Sequence, residues 1–298
     1  AFTKQGEGKF QIMSSQDEKA LELVLKAEKK LKSFSFFSGN SKYEEAADLY
    51  AKGGNLYKVA KKWHAAGDAF TKQGECFQKL GSKHEAAGAY VDAATCFKKC
   101  SANDAVNCLR QAVEIFTDMG SFSSAAKNQK EIAELYEGEE NLEAAIDAYQ
   151  IAADYYSGED QTSAANQCLL KIAQYAAQLE NYPKAVQIYE EVAKKALDNN
   201  LLKWSAKDYL LRAGLCHLAS KDLVAAERAL EKYEQMDLTL QGSREHKLLQ
   251  DILSHVQDKD LEEFTNTVYD FDQISKLDAW KTTMLLRIKE TIGKEDIL

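Results

Sequence analysis

Proline is almost missing from this chain of 298 residues: Pro183 is the only one. Proline breaks helix interiors by removing an N–H and clashing with the preceding turn, so its near absence leaves long helices unobstructed. Long apolar runs are missing as well. No stretch of about 18 apolar residues and no amino-terminal leader pattern occurs, which points to a soluble, cytoplasmic chain without a spanning helix. Histidine is sparse, and His64, His84, His217, His246 and His255 form neither a His-Glu-x-x-His pair nor a triad pattern. Phosphate-cradling glycine loops are absent too. Catalytic, metal and cofactor sites are therefore not expected, and the reading is of a binding protein rather than an enzyme. Six cysteines are present but no Cys-x-x-Cys pair. Cys96, Cys100 and Cys108 have no histidine at ligand spacing, so they read as small buried thiols in a reducing compartment rather than a zinc site. A basic surplus is lacking: the net charge is −9. Counterion-release binding needs a concentrated basic surface, so nucleic acid is not the expected partner.

Strong helix formers dominate what is there: Ala, Glu, Lys, Leu and Gln. Alanines recur at Ala46, Ala65, Ala86, Ala105, Ala125, Ala144, Ala164, Ala185, Ala206 and Ala225, every 19 to 21 residues. Several are followed four residues later by a large apolar residue, as in Ala46 with Tyr50, Ala86 with Tyr90, Ala105 with Leu109 and Ala185 with Tyr189. Residues i and i+4 share one helix face, and small beside large is what close helix packing requires. Turn signals such as Gly81-Ser82, Gly120-Ser121 and Glu180-Asn181 fall between the alanines. Ser41 with Glu44 and Ser82 with Glu85 read as capping boxes. Each unit is thus a helix of roughly 16 residues plus a short turn, and two make a hairpin of about 40, longer than a 34-residue tetratricopeptide repeat but stacked by the same logic. The expected fold is all-α: a tetratricopeptide-like superhelix of antiparallel hairpins over 14–240, closed by a helical bundle and acidic tail over 241–298. Residues 1–13 match no repeat and read as an appended or disordered lead-in.

Charge is unevenly spread. Residues 14–100 carry a balance of +4 and residues 101–298 a balance of −14, which suggests partner surfaces of different sign. Three local features invite a functional reading. Phe34, Phe36 and Phe37 sit in a Ser/Gly-rich connection after an amphipathic helix over about 15–32. They form either a loop tucked onto the first hairpin or an apolar finger for a membrane or a partner. Lys127, Lys207 and Lys247 are separated by multiples of 40. They are either scattered solvated lysines or one side of the stacked hairpins; Gln167 occupies the intermediate place, with Lys171 one turn on and Lys98 and Lys99 as extensions. The third feature is the carboxyl end. Trp280, Met284, Leu285, Ile288 and Ile292 mark the buried stripe of a last helix, followed by Glu295, Asp296 and a terminal Leu298.

Beyond the periodicity, several runs read together carry a resemblance. These are Ala27-Glu28-Lys29-Lys30, Phe36-Phe37-Ser38-Gly39, Ala153-Asp154-Tyr155-Tyr156, Cys168-Leu169-Leu170-Lys171, Ser205-Ala206-Lys207-Asp208-Tyr209 and Thr282-Thr283-Met284-Leu285-Leu286-Arg287-Ile288-Lys289. Over 14–298 the chain resembles the soluble NSF attachment protein family, of the alpha type. The resemblance implies an adaptor that binds the assembled SNARE four-helix bundle, several copies to one bundle though a monomer when free. It also implies recruitment and stimulation of the hexameric ATPase NSF. Lys99, Lys127, Lys171 and Arg244 match SNARE-contact or neighbouring basic positions, and Lys98 and Lys207 fall in with them, whereas Gln167 departs from the usual lysine. Phe34, Phe36 and Phe37 match a membrane-touching loop and imply weak, peripheral membrane contact. Asp258 matches an acidic NSF-docking position, Ser254 and Gln257 depart from it, and Asp251, Asp260, Glu262 and Glu263 lie near. Leu298, beside Glu295 and Asp296, matches a leucine that stimulates the ATPase. The rival reading is a tetratricopeptide-like scaffold holding a short extended peptide in pockets.

Overall fold

The computed structural model describes residues 15–32 and 40–293. Its helices are α1 (Ser15–Lys32), α2 (Ser41–Val59), α3 (Trp63–Leu80), α4 (Lys83–Phe97), α5 (Ala102–Asp118), α6 (Phe122–Gly138), α7 (Leu142–Gly158), α8 (Thr162–Gln178), α9 (Tyr182–Leu197), α10 (Ala206–Ala219), α11 (Leu223–Met236), α12 (Arg244–Gln257), α13 (Leu261–Ile274) and α14 (Ala279–Gly293). A 3-10 turn, Lys203–Ser205, leads into α10. The described residues contain no strand. The chain forms two compact units, one ending at Glu139 and the other beginning at Glu140. In the first, α1 to α6 pack in chain order; in the second, α7 to α10 do the same and α11 to α14 gather around α10 and α12. Residues 1–13 and the Phe34, Phe36 and Phe37 connection lie outside the described residues.

The repeat is visible atom by atom. The fourth residue of α3 to α9 is a buried alanine each time: Ala66, Ala86, Ala105, Ala125, Ala145, Ala165 and Ala185. Where alanine is doubled at 65–66, 144–145, 164–165 and 225–226, the second member is the buried one, so those period marks shift by one residue from the sequence expectation. The large residues four positions on are buried as expected: Tyr50, Tyr90, Leu109 and Tyr189 are each at most 4% exposed. Backbones approach closely where even a methyl group would not fit. A Cβ placed on Gly67 of α3 would lie 2.6 Å from the Phe97 ring of α4.

The turns use a different device from the capping boxes. Asn40, not Ser41, caps α2, and the Ser41 hydroxyl instead donates to Glu45 Oε1 at 3.0 Å. Ser82 does precede α4, but its side chain makes no capping bond. What reverses the chain within each unit is one left-handed residue followed by the cap, at Lys61, Gly81, Gly120, Asp160, Glu180, Lys221 and Lys259. At Gly81 the amide of Gly81 donates to the Gln78 carbonyl and that of Ser82 to the Phe77 carbonyl, tying off the end of α3. Asp160 with Gln161 and Glu180 with Asn181 repeat the pattern without glycine, each costing roughly 1–2 kcal/mol of backbone strain. Within each unit, turns this short leave consecutive helices antiparallel.

At the carboxyl end the expected stripe holds: Trp280, Met284, Leu285, Ile288 and Ile292 are all buried. They seat α14 back against earlier helices. Trp280 Nε1 donates to the Gln174 carbonyl at 3.1 Å, and Arg287 donates to the Ala177 and Gln178 carbonyls, both at 2.8 Å. Arg287 thereby satisfies carbonyls at the end of α8 that have no partner within the helix.

Candidate partner-binding surfaces

In the first unit, α4 ends at Phe97 and exposes Lys98 and Lys99 on the turn that follows. The two lysines differ in availability. Lys98 Nζ pairs with Glu131 of α6 at 2.9 Å, and both side chains are about one-third exposed. Lys99 is exposed and makes no ion pair within 4 Å among the described residues. Lys127 stands out from the second turn of α6 between buried Ala126 and Asn128, and it too has no ion pair among the described residues. Alternation of buried and exposed positions on a packed helix forces this presentation, because the neighbours on each side are locked into the core.

In the second unit the basic side chains are more engaged. Lys171 of α8 donates to the Tyr175 hydroxyl at 3.2 Å and lies 5.5 Å from that ring's centroid. Lys207 of α10 donates to the Thr239 carbonyl at 2.7 Å. Lys247 is exposed between buried His246 and Leu248, the same pattern as at Lys127. Arg244 opens α12, reaches the Ser275 hydroxyl at 3.4 Å and lines a cleft of about 270 Å³ with Lys247, Asp251 and Phe271. Lys127 thus belongs to one compact unit and Gln167, Lys171, Lys207 and Lys247 to the other.

Sequence reasoning missed the apolar residues beside Lys207. Leu201 is 89% and Trp204 71% exposed, on the connection between α9 and α10. Lys203 and Lys207 both approach the Trp204 ring, at 5.7 and 6.0 Å from its centroid. The available signal was connection length: eight residues separate α9 from α10, against three at most other turns, and three of them are Leu201, Leu202 and Trp204. An exposed tryptophan flanked by ammonium groups combines apolar area with cation–π attraction, the makings of an interface anchor.

Just after Lys207, Asp208 anchors a charged cluster. Lys281 and Arg212 both donate to its carboxylate, Arg212 at 2.8 Å, and Arg212 also reaches Asp278 at 2.5 Å. The Arg212 guanidinium stacks 5.0 Å from the Trp280 ring. Burial pushes the Asp208 carboxyl up, but the Arg212 charge and the Lys281 hydrogen bond outweigh it and hold it below the usual range. This cluster ties α10 to the start of α14.

The acidic candidates gather around the turn between α12 and α13. Asp258 caps α12 and is exposed, accepting from the Ser254 hydroxyl at 3.3 Å. Glu262 and Glu263 are exposed in the first turn of α13, where the helix dipole favours negative charge. Asp260 is engaged differently, capping α13 by accepting from the Glu263 amide at 3.0 Å. Of α13 only Phe264 is fully buried, so most of this helix faces outward. Glu295, Asp296 and Leu298 lie outside the described residues. No group of His, Cys, Asp or Glu among the described residues is arranged to hold a metal ion, and no described helix is long and apolar enough to cross a membrane.

Paired helices repeating every 40 residues, with exposed basic, aromatic and acidic side chains, define a tetratricopeptide-like helical repeat protein. A solved relative of that fold is the signal-transduction ATPase with a tetratricopeptide-repeat sensor from Pyrococcus horikoshii. It aligns at a TM-score of 0.50 and 15% identity, covering 93% of this chain and 44% of that one. Residues 18–293 match the model of the soluble NSF attachment protein family, and the chain belongs to that family. It is 54% identical over 283 residues to the alpha-soluble NSF attachment protein of Dictyostelium discoideum, covering 94% of this chain and 97% of that one. Against the human alpha protein it is 48% identical over 292 residues, covering 96% and 99%. The probable vesicular-fusion protein sec17 homolog of Schizosaccharomyces pombe is 39% identical, covering 92% and 96%.

Proposed function

We propose that this chain is an adaptor in vesicle fusion: it binds the assembled SNARE four-helix bundle, recruits the NSF ATPase and stimulates it to take the bundle apart. The observation that carries this reading is the family match, which runs through every helix from α1 to α14 rather than through one motif. The surfaces are suited to the task. Lys99 and Lys127 offer to an acidic bundle ammonium groups that have no ion pair among the described residues, with Lys98, Lys171, Lys207 and Arg244 as further basic contacts and Trp204 adding an apolar one. Several weak contacts acting together are needed, since one surface ion pair contributes only ~0–1 kcal/mol.

On this reading Asp258, Glu262 and Glu263 present the acidic face that NSF docks on, and Glu295, Asp296 and Leu298 deliver the stimulus. Phe34, Phe36 and Phe37 give weak membrane contact, so the protein is cytoplasmic and peripheral, a monomer when free and present in several copies on one bundle. Burying one phenylalanine contributes ~1.5–3 kcal/mol, enough to assist bundle binding but not to anchor the chain alone.

The test is capture of NSF by immobilised SNARE bundle, with and without this chain, in ATP that is not hydrolysed. A ternary complex that forms only with the chain, and disassembly once hydrolysis is allowed, is the expected result. Absence of the ternary complex refutes the proposal. Binding to isolated extended peptides instead of the assembled bundle favours the peptide-scaffold alternative.

A further inference from the structure

A cleft of about 380 Å³ opens in the first unit between α1, α2 and α3, within the range of about 300–1,000 Å³ typical of small-ligand sites. Its floor includes Tyr50, which is 2% exposed, and half-buried Tyr43. On one wall Lys72 Nζ pairs with Glu28 at 2.5 Å and lies 5.8 Å from the Tyr50 ring centroid. That pair neutralises itself. Three charges on the rim are left over. Lys32, Lys79 and Glu75 line the same cleft, all are exposed, and none makes an ion pair within 4 Å among the described residues.

Two cations and one carboxylate around an aromatic floor state what the cleft complements: a small group with two anions and one cation. A bare phosphate meets repulsion from Glu75, and a bare ammonium meets repulsion from Lys32 and Lys79. A phosphoserine group carries a phosphate, a carboxylate and an ammonium, and so satisfies all three. The position of the cleft suggests where such a group comes from. Lys32 ends α1 and Tyr43 lies in the first turn of α2, so the cleft sits at the root of the connection whose sequence holds Phe34, Phe36 and Phe37.

The geometry points to a headgroup site: the cleft between α1, α2 and α3 takes the phosphoserine group of an anionic phospholipid at a membrane surface. Lys32 and Lys79 meet its phosphate and carboxylate, and Glu75 meets its ammonium. The inference rests on the proposed membrane contact only for the source of the lipid; the recognition is a property of the cleft.

Co-sedimentation of the full chain with phosphatidylcholine vesicles tests it. One set carries about one-fifth phosphatidylserine and the other the same share of phosphatidylglycerol, so that surface charge is matched. The expected result is at least about fivefold tighter binding to the serine lipid, a difference that charge alone does not produce. Soluble O-phospho-L-serine should compete, and inorganic phosphate should not. Lys32→Gln with Lys79→Gln should abolish the preference, and Glu75→Gln should narrow it, with circular dichroism confirming the helical fold. Lys79→Gln alone, at an exposed site, keeps the test informative should the double variant unfold.

Equal binding to both vesicle sets, or a preference unchanged in the folded variants, overturns the inference. So does binding of O-phospho-L-serine without any vesicle preference, which makes the cleft a site for a free solute. A loss of SNARE-bundle binding in detergent with vesicle binding intact assigns the cleft to a protein partner instead. Failure of the ternary complex with NSF sinks the adaptor reading and leaves the lipid preference standing.

Discussion

Reversing two lysines separates a working basic surface from a decorative one. Lys99 and Lys127 are exposed and free of ion pairs among the described residues, so a partner contact breaks nothing inside the chain. An exposed ion pair contributes ~0.2–1 kcal/mol, and replacing attraction by repulsion of similar size doubles that. Lys99→Glu with Lys127→Glu is therefore expected to weaken bundle binding by about 1–4 kcal/mol, from roughly fivefold to several hundredfold in Kd. The assay is fluorescence anisotropy of a labelled SNARE bundle in detergent at low and high salt. Screening shortens as salt rises, with a Debye length of about 10 Å at 0.1 M. The wild-type chain should lose affinity with salt while the double variant responds less. Binding within twofold of wild type, or an unchanged salt response, refutes the reasoning and moves the contact surface away from α4 and α6.

Three further outcomes follow from the packing. In the Asp208 cluster, Arg212→Met removes the charge that, with the Lys281 ammonium, holds Asp208 below its usual range and that adds to the Lys281 amide in holding Asp278 down. Depressed carboxyls stabilise the fold above the unfolded pKa and lose that contribution as pH falls through the folded value. The stability gap between variant and wild type in urea titrations should therefore be widest near neutral pH and close below about pH 4. A gap independent of pH would show that Arg212 acts through its stacking on Trp280. Gly67→Ala drives a methyl group into the Phe97 ring, costing ~1–3 kcal/mol of overpacking against a helix-propensity gain of about 1 kcal/mol. Thermal unfolding should show a net loss of up to about 2 kcal/mol, and a stabilised variant would mean that α3 and α4 shift apart freely. Cys100 is exposed while the other five thiols are buried, so an aromatic disulfide reagent should modify one thiol quickly in the native protein. Burial, with the Asp104 and Asp68 charges, pushes the Cys100 thiol up, so that reaction should accelerate as pH rises. Two or more fast thiols at neutral pH would contradict the packed helices around Cys96 and Cys108.

Much of the fold was legible because its signal is local. Alanine followed by a large apolar residue four positions on is a statement about one helix face, and it held at Tyr50, Tyr90, Leu109 and Tyr189. The last helix was legible for the same reason, from Trp280 to Ile292. The turns were legible in place, at Gly81-Ser82, Gly120-Ser121 and Glu180-Asn181, but the capping boxes at Ser41 and Ser82 were not formed, because the reversal lies in one left-handed backbone residue rather than in a side-chain cap. The candidate surfaces were legible as a set of charges but not as a set of free charges. Lys98 and Lys99 are adjacent and alike in sequence, yet Glu131 engages one and leaves the other. Trp204 went unnoticed since a lone tryptophan between two helices carries no periodic mark.

Side-chain size repeating every 20 residues was enough to determine helices, their length and their pairing, because helix faces and short turns are settled within a few residues of each other. Which lysine is available, where Trp280 finds the Gln174 carbonyl 106 residues earlier and how Arg212 comes to hold both Asp208 and Asp278 were decided only by tertiary packing. Such contacts join residues that no local pattern connects, and burial alone chooses among many equivalent charges.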